Sequence, residues 1–142
     1  MTKTIIALAM ILLTSLQGLS QCDKKMKWNA IKADMFDAKG ALLESKAATI
    51  IVETGPQEIS VMFKESTEDG LEGSVKEKNC DWKDAFKNGK TVYRTTANID
   101  GKTSNAIFTL EAKEGKITIL VDIEIMEGRK FLIYIDTYEE IN

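Results

Sequence analysis

Between residues 106 and 123, apolar and polar side chains alternate with a period of two on either side of Glu114-Gly115. That period marks a strand with one buried face. A two-residue turn at Glu114-Gly115 sets Ala112, Leu110, Phe108 and Ala106 opposite Ile117, Ile119, Val121 and Ile123. All eight then share one face, while Glu111, Thr109, Thr118 and Asp122 share the other. A slip of one residue would send half of the apolar set to solvent, so this register is strongly specified.

The same test extends in both directions. Asp100-Gly101 suits a type I′ turn, and it pairs Tyr93 with Phe108 and Thr95 with Ala106. A three-residue loop, Glu127-Gly128-Arg129, would pair Ile125 with Phe131, Ile123 with Ile133 and Val121 with Ile135. Thr54-Gly55-Pro56-Gln57 would set Val52, Ile50 and Ala48 against Ile59, Val61 and Phe63. Residues 28–36 read as a strand that ends in the turn Asp37-Ala38-Lys39-Gly40. Residues 71–76 read as a short strand after the acidic turn Glu68-Asp69-Gly70.

One helix is expected, over 79–88. Asn79 suits its cap, Asp81 its first turn, Lys87 its last, and Gly89 the left-handed position that ends it. Trp82 and Phe86, four apart, would then share a face. About eight strands in up-and-down order predict an all-β domain, an antiparallel meander closed into a barrel. A two-sheet sandwich is the alternative, and a single helix-covered sheet comes third.

The N-terminus predicts destination. Lys3 precedes an apolar run over 5–16 broken only by Thr14 and Ser15, and small residues follow at Gly18 and Ser20. This has the form of a secretory signal peptide at 1–20, too short for a membrane span and cleaved before Gln21. A single domain at 21–142 remains, secreted or periplasmic. Of the 142 residues, 19 are basic and 22 acidic. A mildly acidic chain with no basic run longer than Lys24-Lys25 suits neither nucleic acid nor an anionic lipid surface. No second apolar stretch approaches a transmembrane span.

Two cysteines, Cys22 and Cys80, read in an oxidising space as one disulfide closing a 58-residue loop (80 − 22). The alternative is a lipid anchor on Cys22. Leu19-Ser20-Gln21-Cys22 has lipobox spacing, although Gln21 stands where a small residue is required. Lipidation would leave Cys80 unpaired, so the two readings exclude each other.

Histidine is absent. That removes the usual general base, the His-dependent triads and most zinc sites. No P-loop is present, since Gly70-Leu71-Glu72-Gly73 lies in an acidic stretch. Asp122, Glu124, Asp136 and Glu139-Glu140 offer carboxylates, which read as a solvated strand face and a polar tail. A carboxylate-based hydrolase is thus a distant possibility, because a working acid needs burial to tune its pKa. Glu65, Glu68, Asp69 and Glu72, and separately Asn98, Asp100 and Thr103, have the composition of ordinary turns and lack EF-hand spacing. No catalytic residue, metal ligand or cofactor is expected.

Two candidate sites follow from the alternation. Thr91, Tyr93 and Thr95 should face inward with Phe108 and Ile119. Their hydroxyls would need a ligand, a water or an internal partner there. On the outer face, Leu120, Leu132 and Tyr134 should be neighbours, with Ile107 and Val92 further along, forming a partner surface unless the Trp82 helix covers it.

Leader, early tryptophan, antiparallel meander and single disulfide together resemble the small lipocalin-like secreted barrels. Met26-Lys27-Trp28 stands where true lipocalins carry Gly-x-Trp. The resemblance implies a non-catalytic binding protein holding a small apolar ligand inside the barrel. The alternative is a protein-interaction module, an inhibitor or surface-complex component whose partner is another exported protein. Neither the ligand, the partner nor the oligomeric state is written in the sequence.

Overall fold

In the computed structural model, residues 21–65 and 70–141 are described, so the expected leader lies outside the described residues. Eight strands follow in chain order. They are β1 (Met26–Phe36), β2 (Leu42–Thr54), β3 (Glu58–Phe63), β4 (Leu71–Asp84), β5 (Asn88–Ile99), β6 (Lys102–Lys113), β7 (Lys116–Ile123) and β8 (Lys130–Glu140). Each pairs antiparallel with the next, and β8 pairs with β1 to close the barrel. Closure rules out the sandwich. No helix among the described residues is long and apolar enough to cross a membrane.

The ladders around β6 match the alternation pair for pair: Phe108 lies opposite Val121 on one side and opposite Tyr93 on the other. Two other registers differ from expectation. Val52 faces Val61 and Ile50 faces Phe63, two residues along, because the turn closes through a bond from Gly55 N–H to the Glu58 carbonyl. Pro56, with φ held near −65°, excludes a type I′ turn at Gly55-Pro56 and suits the first central position of the observed Pro56-Gln57 turn. Likewise Val121 faces Phe131 and Ile119 faces Ile133. A single 3-10 turn, Glu124–Met126, takes up residues that would have extended the ladder, and Ile125 is left 46% exposed. Both shifts are even-numbered, so inward residues stay inward.

The helix expected at 79–88 does not form. The segment is the far half of a β-hairpin, with Cys80 opposite Thr91, Trp82 opposite Gly89 and Asp84 opposite Asn88. β4 is therefore far longer than the short strand read at 71–76. Barrel closure requires a partner along the open edge of β5, and a helix would leave that edge unpaired. Gly89 makes the tight return possible. At φ +148°, a Cβ there would lie 2.6 Å from the Asp81 carbonyl oxygen and the Trp82 Cα.

Trp28, Ile50, Val52, Phe108 and Ile119 fill the centre and are essentially inaccessible. The two barrel ends differ. The end where β1 begins and β4 finishes is plugged; the end where β3 finishes and β4 begins is open.

Candidate functional site

At the plugged end Phe86, with positive φ in the β4–β5 turn, folds across the barrel. Its ring meets Trp28 edge-on at 5.3 Å, Trp82 at 5.5 Å and Tyr138 at 5.4 Å. Trp82 and Phe86 meet because Phe86 folds back in the turn and not because they share a helix face, and they seal an end and do not cover an outer face. The N-terminal 3-10 turn, Gln21–Asp23, is tied alongside by the Cys22–Cys80 disulfide, with Cα atoms 6.3 Å apart. Lys78 Nζ donates to the Cys22 carbonyl at 2.8 Å and to Asp23 at 2.6 Å, fixing the same turn.

Beneath the plug lie the five inward residues expected to touch a ligand. Thr91, Tyr93, Thr95, Phe108 and Ile119 all face the interior and are all buried. Their polar atoms are matched within the protein. Trp28 Nε1 donates to Thr54 Oγ1 at 2.9 Å, and Trp82 Nε1 donates to Thr91 Oγ1 at 2.7 Å. Burial pushes the Tyr93 phenol above its ordinary pKa, partly offset by hydrogen bonds with Thr54 and Thr91. Thr95 Oγ1 donates to the Ala106 carbonyl at 2.9 Å. Among the described residues no buried side-chain nitrogen or oxygen lacks a partner, so this half of the barrel asks nothing of a ligand.

The opposite half is hollow. A cavity of about 510 Å³ opens at that end, walled by apolar side chains that include Val61, Phe63, Leu71, Val121, Ile123, Phe131 and Ile133. None of the five expected residues lines it. Alternation alone would have placed Val61, Val121, Ile123 and Ile133 inward. Which end stays open depends on the plug, and the plug depends on the β4–β5 hairpin. Glu44, Lys46, Glu65 and Asp100 stand around the mouth. The Thr49 backbone N–H donates to Glu65 Oε1 at 3.2 Å and, with smaller help from Lys46, holds that carboxyl below its ordinary pKa. Of the acidic turn residues considered for calcium, Glu68 and Asp69 lie outside the described residues.

On the outer wall Leu120 lies opposite Leu132, with Tyr134 beside them opposite Thr118, and all three are half-buried. Tyr134 is already engaged. Its hydroxyl donates to Asp34 Oδ2 at 2.7 Å, Ser45 Oγ donates to the other carboxylate oxygen, and Lys32 Nζ lies 4.9 Å from the Tyr134 ring centre. Those two hydroxyls, aided by the Lys32 charge, hold the Asp34 carboxyl below its ordinary pKa despite its shielding from solvent. The folded value is therefore lower than the unfolded one. Ionised Asp34 stabilises the fold fully above about pH 4, and the contribution is lost as pH falls through that value toward the folded pKa. Asp34→Asn should be less stable than the parent near neutrality, with a smaller gap at a pH below about 4. Urea unfolding at the two pH values reads this; an unchanged gap would mean that ionisation is not the cause.

The surface carboxylates Asp122, Glu124, Glu139 and Glu140 have surface partners. Lys130 lies 3.8 Å from Asp122, Asn105 donates to Glu124 at 2.9 Å, and Lys27 and Lys24 approach Glu139 and Glu140. No protein-family model, curated protein or solved structure matches this chain.

Proposed function

We propose that this is an exported, non-catalytic binding protein that takes one small, largely apolar ligand through the open end of its barrel. The observation that carries the reading is the asymmetry of the interior, packed and internally hydrogen-bonded at one end, hollow and apolar at the other. A volume of about 510 Å³ falls within the range of small-molecule sites, and eight strands enclose about the space one such ligand needs. Solvation favours an apolar guest there, since each buried methylene gains about 0.8 kcal/mol on leaving water. The polar mouth at Glu44, Lys46, Glu65 and Asp100 suits a ligand whose polar end stays near solvent. The leader-like N-terminus and the Cys22–Cys80 disulfide support an oxidising, extracytoplasmic site of action.

Binding of the neutral fluorophore N-phenyl-1-naphthylamine tests the proposal. One molecule should bind per chain, and Ile123→Trp, which puts an indole into the void, should weaken uptake by at least about tenfold without loss of stability. Native mass spectrometry of protein from its own host should show an added small mass that the variant lacks. Absence of both uptake and added mass would refute the reading, as would unchanged uptake by the variant.

A further inference from the structure

β2 outruns its neighbour on one side. β1 pairs with it from Leu42 to Thr54, whereas β3 pairs only from Ile50 to Thr54. Lys64 N–H still reaches the Thr49 carbonyl. Beyond that, residues 42–48 have no strand along this edge among the described residues. The matching overhang lies on β4, where pairing with β3 ends at Ser74. That overhang is occupied by the N-terminal turn, through the disulfide and the two Lys78 hydrogen bonds. The N-terminal turn stands beside one overhang, whereas among the described residues no strand pairs with the other. A bare edge presents unpaired backbone N–H and C=O groups that another strand can satisfy.

The bare edge is complementary to itself. Its centre reads Leu43-Glu44-Ser45-Lys46-Ala47. When two copies run antiparallel about a two-fold axis at Ser45, Glu44 of each copy lies opposite Lys46 of the other, and Leu43 lies opposite Ala47. Within one chain these charges face apolar residues across the ladder, Glu44 opposite Met35 and Lys46 opposite Ala33. Neither takes part in an ion pair within 4.0 Å among the described residues. Exposed apolar surface flanks them, with Leu42 at 57%, Leu43 at 49% and Ile31 at 62% exposure.

The geometry points to a symmetric dimer of this chain, joined through the two β2 edges. Such an interface is isologous, so it closes on itself and does not propagate into fibres. It continues the sheet of one barrel into the next, and because Glu44 and Lys46 also stand at the cavity mouth, sedimentation and not ligand uptake is the readout that tests it.

Sedimentation velocity on the exported, disulfide-bonded chain tests this, from low micromolar to near-millimolar concentration. The expected result is a reversible monomer–dimer equilibrium of the weak, transient class. Glu44→Lys and Lys46→Glu should each weaken self-association by at least about tenfold, since each places like charges opposite one another twice per dimer. An equimolar mixture of the two variants should recover a heterodimer, one chain presenting two lysines and the other two glutamates. The double variant should recover self-association. Circular dichroism should show all four chains equally folded. Three outcomes would each overturn the proposal: a monomeric parent at every concentration, single variants that still dimerise, or a mixture that stays monomeric. A monomer that captures a foreign strand on this edge would also overturn it.

Discussion

Removing the disulfide with Cys22→Ala and Cys80→Ala together is expected to lower the free energy of unfolding by about 4 kcal/mol. The cross-link spans 58 residues, and on the chain-entropy account a loop of that size strongly restricts the unfolded ensemble. The folded state would lose a second contribution. Without the bond, the turn Gln21–Asp23 is held to β4 mainly by Lys78, whose ion pair with the exposed Asp23 is partly screened by solvent. The overhang of β4 would then become an open edge like that of β2, and the variant should aggregate more readily. Urea unfolding of the parent and the double variant checks the energy, with a fall in melting temperature on the order of 15 °C as an independent readout. Binding of the fluorophore should survive, because the cavity lies at the opposite end of the barrel. A loss of under about 1 kcal/mol would show that the hydrogen bonds alone fix the N-terminus.

Trp28→Ala should cost about 4 kcal/mol, comparable to the disulfide but by a different mechanism. The indole is completely buried, meets Phe86 edge-on and Tyr138 at a tilt, and donates to Thr54. Truncation would leave a void under the plug and free the Phe86 turn. Trp28→Phe separates the two contributions. It keeps most of the apolar contact but removes the donor, so it should cost only about 1 to 2 kcal/mol. Equilibrium denaturation of both variants decides the matter. Equal losses would mean that the hydrogen bond, and not packing, dominates. If Trp28→Ala also opens the plugged end, fluorophore stoichiometry should rise above one per chain.

Much of this fold was legible because its residues sit on a two-sided surface. Phe108, Leu110, Ile119 and Val121 could point only one way without exposing apolar area, so the meander and its inner face followed from alternation. Two loop registers escaped that logic. The hydrophobic face constrains a register only to even steps, since an even slip keeps every paired residue on its own face. Pro56 and the 3-10 turn at Glu124–Met126 chose among the even alternatives. The region 79–88 is ambiguous in sequence for a related reason. Its capping residues and four-residue aromatic spacing are compatible with a helix, and only the demand of β5 for a neighbour makes it a strand.

The candidate site was half legible. Inward direction could be read for Tyr93 and Phe108 as well as for Ile123 and Ile133, but depth along the barrel could not. Depth depends on strand stagger and on which loop folds over an end, and both arise from contacts between residues distant in sequence.

The chain's own order of residues decided which faces are apolar, which two sulfur atoms can meet and which chemistries lack their side chains, because each depends on local identity and spacing. Only the closed barrel decided that Phe86 seals one end while the other stays hollow, and that β2 and β4 both outrun β3. Those outcomes come from the mismatch in length between neighbouring strands, a quantity that exists only once all eight are joined.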